Sequence, residues 1–179
     1  GSNPHDQTFL SYVRQGGTGI CFLPTEMVAR SAGLIHREEF ELPLRLRVSE
    51  FPVSGLAGEQ LPVVGRAVAY HSDEGTRPLA YLNHPGVHHG EVPGITETKY
   101  GKGRIIVFAF DLARCILLLR QGDPARSEIV PDGDGCARPS HLATDLGAHA
   151  SGWVPYADLM GRLLVDLVLR FLPLPVPML

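Results

Sequence analysis

Several short segments carry side chains able to do chemistry. His84-Pro85-Gly86-Val87-His88-His89-Gly90-Glu91 is dense in imidazole and ends on a carboxylate. That donor set suits zinc or another transition metal, so His84, His88, His89 and Glu91 are the candidate metal ligands. The segment reads as a hairpin loop, where histidines are more often solvated, and no bound metal is expected. His141, Asp145 and His149 recur every fourth residue and would share one side of a helix. Neighbouring Gly and Thr favour a capped or solvated segment instead. Asp132-Gly133-Asp134-Gly135 resembles the start of a calcium loop but lacks the closing Glu, so it reads as a tight turn. Asp111 stands at the end of the apolar run Arg104–Phe110. In open α/β sheets ligand groups collect at the carboxyl ends of strands, which makes Asp111 and its neighbour Arg114 candidates for binding a polar ligand. Capping the following helix is the competing role for Asp111. Trp153 and Tyr156 could stack on a sugar, although packing is the commoner fate of such rings.

These groups need elements to hold them. Phe9 to Gln15 reads as the last turns of a helix stopped by Gly16-Gly17. Gly19 to Leu23 is a short apolar run, expected as a buried strand. Thr25 is a suitable N-cap for a helix through Ala32, with Gly33 as its stop. From Pro43 the period becomes two: Leu44, Leu46 and Val48 alternate with Arg45, Arg47 and Ser49. Further strands are expected over Val63–His71, Pro78–Asn83 and Ile95–Tyr100, as a β-rich insertion. The run from Tyr100 to Leu112 places a two-glycine turn before a central strand, Arg104–Phe110, and a helix from Leu112 to Gln121 after it. Residues 123–152 are polar and irregular. Pro155 opens a last helix to about Leu172, with Asp158, Arg162, Asp166 and Arg170 forming one polar stripe. The alternating prolines of 173–179 favour an extended linker.

Composition narrows the function classes. The chain has 179 residues, 44% of them hydrophobic, which fits one domain with a substantial core rather than a disordered chain. Its net charge is −3 and no Lys/Arg run gives a nucleic-acid footprint. The longest apolar stretch, Leu159–Leu172, is too short and too charged to span a bilayer. No signal peptide follows Gly1-Ser2. Cys21, Cys115 and Cys136 are odd in number and lie far apart, which argues against a zinc ribbon, a redox dithiol or a disulfide framework. Cys115, in an apolar helical run, reads as a buried hydrophobe.

Leu10-Ser11-Tyr12-Val13-Arg14-Gln15-Gly16-Gly17, the strand from Gly101 to Leu112, and Trp153-Val154-Pro155-Tyr156-Ala157-Asp158 carry a resemblance. Together they resemble class I glutamine amidotransferase-like domains, especially the non-catalytic kind in β-galactosidase trimerisation domains and ahead of polysaccharide deacetylases. The resemblance implies an α/β fold: a flavodoxin-like three-layer sandwich with a mainly parallel sheet. Few residues precede Tyr12, so the first β-α units would be missing here and an open sheet edge would need cover, for instance by another copy. Domain limits of 1–172, followed by a linker over 173–179 into a downstream domain, are expected on the same ground.

In such a family the nucleophile sits in Gly-x-Cys-x-Gly. Gly19-Ile20-Cys21-Phe22-Leu23 matches the first half and has Leu23 in place of the second glycine. The family's late histidine would fall where Asp111-Leu112-Ala113 stands, and a carboxylate cannot replace imidazole as the partner of a cysteine. Cys21 is thus the candidate catalytic residue, but no activity is expected. The expectation is a catalytically inactive accessory domain of a larger, carbohydrate-related bacterial protein, serving scaffolding, oligomerisation or ligand binding. Implied partners are a downstream catalytic domain of the same polypeptide, a carbohydrate and further copies of the chain. No cofactor is implied. Two alternatives stand beside it: a hydrolase using Cys21 or the His-rich metal site, and a pure assembly module.

Overall fold

The computed structural model describes residues 3–40, 44–49, 60–83, 91–121, 129–131 and 137–139, with helical positions at 161, 163 and 165. The chain begins with helix α1 (Pro4–Arg14), whose N-cap Asn3 accepts the His5 amide on its side chain. Proline at the first helical position loses no needed donor. Strand β1 (Thr18–Phe22) follows, and then helix α2 (Glu26–Ser31) with the expected cap: Thr25 Oγ1 accepts the Val28 N–H at 3.4 Å. The far end of α2 is closed by two threonines of the sheet. The hydroxyls of Thr98 and Thr76 reach the Ala32 carbonyl oxygen at 2.8 and 3.0 Å, so this helix-terminal acceptor is satisfied.

Strands β2 (Leu34–Phe40), β3 (Leu44–Val48), β4 (Gln60–Val63), β5 (Ala67–Ser72), β6 (Thr76–Asn83), β7 (Val92–Tyr100) and β8 (Gly103–Phe108) come next, before helix α3 (Leu112–Gln121). A short ribbon pairs β9 (Ile129–Pro131) with β10 (Ala137–Pro139). The main sheet has the order β1-β8-β7-β6-β3-β4, and β2 pairs with β5 beside it. In the main sheet only β1 and β8 run parallel; β8–β7, β7–β6, β6–β3 and β3–β4 are antiparallel.

This overturns the flavodoxin-like sandwich. Strands make up 52% of the described structure, in a mixed, curled half-barrel sheet with few helices. The physical reason lies in the connections. A parallel pair needs a long crossover, whereas a two-residue turn such as Gly101-Lys102 joins neighbours antiparallel. The presumed insertion is therefore most of the sheet. Gly103 lets β8 start against α1: a Cβ there would lie 2.2 Å from the Val13 carbonyl oxygen.

The apolar run is nonetheless buried as its composition demands. Ile105 to Phe110 are each no more than 2% exposed. β8 lies between β1 and β7, one strand from the sheet edge rather than at its centre. Beyond Phe108 the chain turns to β5: the Val68 amide donates to the Ala109 carbonyl at 2.8 Å, and Phe110 bridges Ala67. This step attaches the β2–β5 ribbon to the sheet. The core beneath is built from Leu46, Leu61, Leu79, Leu82, Ile95 and Phe108, all essentially inaccessible. Of the helix expected over 155–172, positions 161, 163 and 165 are helical, and Leu163 is buried. The 173–179 segment lies outside the described residues.

Candidate functional site

Cys21 lies on β1, a half-buried free thiol. Burial and, to a lesser extent, the negative charge of Asp6 push it from 9.0 up to about 12. Asp6 is held close by Thr25, whose hydroxyl donates to its carboxylate at 2.7 Å. Activation of a thiol needs a cation or a base beside it; here the named charge has the wrong sign. The turn after Cys21 holds an uncommon backbone conformation. Leu23 is the one non-glycine residue with positive φ among the described residues, at 46°. That is the left-handed region where glycine is favoured, and it occurs at the position where the resemblance calls for the second glycine.

Asp111 and Arg114 are linked through the start of α3. The Arg114 backbone N–H donates to Asp111 Oδ1 at 2.9 Å, and the Asp111 carbonyl accepts the Cys115 N–H at 2.9 Å. One carboxylate oxygen thus serves the first turn of α3. Cys115 is fully buried and accepts the Val64 N–H at 3.4 Å. Glu91 is held by Arg47: the guanidinium Nε donates at 2.7 Å, and its second nitrogen makes a closer contact. That hydrogen bond keeps the Glu91 carboxyl below the ordinary range. His84, His88 and His89 lie outside the described residues, as do Cys136, His141, Asp145, His149, Trp153, Tyr156 and 132–135. Among the described residues no group of three His, Cys, Asp or Glu side chains converges as a metal site would require.

What the sequence reading missed is a cleft at the carboxyl end of β1. Its volume is about 440 Å³, and its walls come from the β1–α2 elbow, β2 and β5. Leu23, Leu34 and Val68 form an apolar side; His36, Glu39, Arg66 and Tyr70 supply polar groups. Arg66 grips Glu39 with two hydrogen bonds of 3.1 and 2.6 Å, and this bonding keeps the Glu39 carboxyl below its usual range. His36 Nε2 lies 3.7 Å from Glu39, and its ring meets Tyr70 edge-on at 6.3 Å. Burial pushes the Tyr70 phenol up. Its volume falls in the range of small-ligand pockets. Cys21 and Asp111 are not among its lining residues, so the cleft does not include either of these candidates.

These residues escape a period-two reading because β2 is bulged. The register against β5 shifts between His36 and Glu38, which brings His36 and Glu39 within reach of each other. β2 is also mostly exposed and carries no run of apolar residues.

Comparison with known proteins places the fold. No protein-family model and no curated protein matches the sequence. Among solved structures, the carbohydrate deacetylase Agd3 is similar at 12% identity and a TM-score of 0.50, over 63% of this chain and 19% of that one. A β-galactosidase from Rahnella sp. R3 is similar at 20% identity and a TM-score of 0.48, over 60% of this chain and 18% of that one. A cytoplasmic protein of Salmonella typhimurium LT2, STM1381, is similar at 18% identity and a TM-score of 0.48, over 61% of this chain and 50% of that one. At 12% identity the likeness to Agd3 is one of fold alone. The chain spans about a fifth of the length of the two carbohydrate-active enzymes. No described helix is long and apolar enough to cross a membrane.

Proposed function

We propose that the chain is a non-catalytic accessory domain of a larger carbohydrate-related protein, and that it binds a ligand in the cleft beside Leu23. The observation that carries the reading is the state of Cys21. Its thiol is held protonated by burial and by Asp6, so the residue best placed to be a nucleophile is not one at neutral pH. The family resemblance of the motifs supports the carbohydrate connection, as does the occurrence of a similar fold within a carbohydrate deacetylase. The cleft suits a polyhydroxylated ligand. Planar carboxylate, guanidinium and imidazole groups on Glu39, Arg66 and His36 can each engage neighbouring hydroxyls, beside the apolar wall of Leu34 and Val68.

Two measurements test this. Incubation with L-glutamine should release no ammonia above background; release that disappears in Cys21→Ala would overturn the non-catalytic reading. Nuclear magnetic resonance titration with a panel of neutral oligosaccharides should move the His36 and Tyr70 signals. A panel that leaves both unmoved removes the cleft as the ligand site.

A further inference from the structure

A second cleft, of about 710 Å³, opens at the opposite end of the β1–β8 pair. The strand register builds it. Thr18, Arg104 and Lys99 stand side by side across β1, β8 and β7, while Glu97 stands opposite Arg77 of β6. Alternate residues of a strand share a face, so Glu97 and Lys99 point the same way, and Lys102 joins them from the turn into β8. Glu97 is largely buried and is shared by Arg104 at 3.2 Å and Arg77 at 3.6 Å. Two arginines thus share one carboxylate, and Lys99 and Lys102 line the same cleft, in a chain whose net charge is −3. Lys99 directly faces Arg104, and like charges so placed are destabilising. The remaining lining is glycine. Among the described residues no aromatic side chain lines it, so they offer no stacking surface for bases or neutral sugar faces. Its recognition rests on charge.

We propose that this cleft binds an acidic saccharide, with a uronate carboxylate seated between Lys99 and Arg104 and the next drawn to Lys102. The inference rests on the accessory-domain reading for the sugar and on the charge arrangement for the acid. The test is calorimetric titration of the whole chain at low ionic strength with three probes: an oligogalacturonate, a neutral oligosaccharide of equal length and a polyphosphate of matched charge. The oligogalacturonate should bind, weaken as salt rises, and lose about tenfold or more in affinity in Lys99→Glu and in Lys102→Glu. Lys99→Glu sets a carboxylate opposite Arg104, so its melting temperature should hold or rise, which separates lost binding from lost folding. Unchanged affinity in both variants would overturn the proposal, as would polyphosphate binding as tightly as the uronate, or no uronate binding. A neutral oligosaccharide whose binding falls in His36→Ala but not in Lys99→Glu, with the uronate inert, would end this inference and leave the accessory-domain reading standing. Glutaminase activity dependent on Cys21 would do the reverse, leaving the uronate titration untouched.

Discussion

Arg114 donates its backbone N–H to the Asp111 carboxylate across 2.9 Å, so the two residues nominated by the sequence as ligand binders are partners in a helix cap. The bond satisfies one of the free amides at the start of α3. Asp111→Ala should therefore cost about 0.5–2 kcal/mol, seen as a melting temperature lower by roughly 2–4 °C per kcal/mol in a chain of this size. Asp111→Asn should keep most of the stability. Arg114→Ala should change little, because the bond uses its backbone. Equal stability of Asp111→Ala and the parent protein in thermal melts would mean that the cap contributes nothing.

Cys21 makes a prediction in the alkaline range. Its folded-state pKa of about 12 lies above the ordinary 9.0, and Cys115 is pushed to about 12 as well, mainly by burial. Between these values the unfolded chain sheds thiol protons that the folded chain retains. The stabilising contribution is complete below pH 9 and is lost as pH rises toward 12. Urea midpoints should fall over that window, and less steeply in Cys21→Ala. At pH 8 alkylation of Cys21 should run roughly a thousandfold slower than that of a free thiol with the ordinary value, in proportion to the thiolate present. Rapid alkylation of the native protein would contradict the assignment.

Local chemistry was legible in the sequence wherever one element decided its own form. Thr25 caps α2, the alternation of Leu44, Leu46 and Val48 is the buried face of β3, and α3 begins at Leu112 and ends at Gln121 as its flanking residues required. Direction was not legible. The β8 run is apolar because both its faces are buried, which holds for a parallel or an antiparallel neighbour alike. The strand expected over Val63–His71 is two, because Gly65 at φ 94° turns the chain between Val63 and Ala67. Of the site, Cys21 could be placed at a strand end. The cleft could not: His36 faces Tyr70 only through the β2–β5 pairing, a contact between segments far apart in sequence.

Leu23 gives a test of the elbow. Its left-handed backbone, φ 46°, precedes Pro24, and side-chain-bearing residues resist that conformation by roughly 1–2 kcal/mol. Leu23 also packs against the core, so any truncation costs packing. The comparison that isolates the backbone is Leu23→Gly against Leu23→Ala, which remove nearly the same contacts. The glycine variant should be the more stable of the two by about 1 kcal/mol, the reverse of the usual order for the two residues. An alanine variant equal to or better than glycine in urea denaturation would mean that the elbow carries no strain.

Thr96 and Thr98 lie on the same face of β7 and should respond oppositely to one substitution. Both are buried. Thr98 donates its hydroxyl to the Ala32 carbonyl at 2.8 Å and lies 3.2 Å from the Thr76 hydroxyl. Thr96 Oγ1 is buried with no hydrogen-bond partner among the described residues. A satisfied buried hydroxyl stabilises by about 1 kcal/mol, whereas an unsatisfied one carries its desolvation cost with no return. Valine keeps the shape and branching that a strand favours and deletes only the hydroxyl. Thr98→Val should therefore lose about 1 kcal/mol and loosen the end of α2, while Thr96→Val should gain a similar amount. Thr96→Ser, which keeps the hydroxyl and deletes the methyl, should lose stability and so exclude simple relief of crowding. Denaturant titration of the three variants decides it: a loss in Thr96→Val as large as in Thr98→Val would mean that the Thr96 hydroxyl has a partner after all.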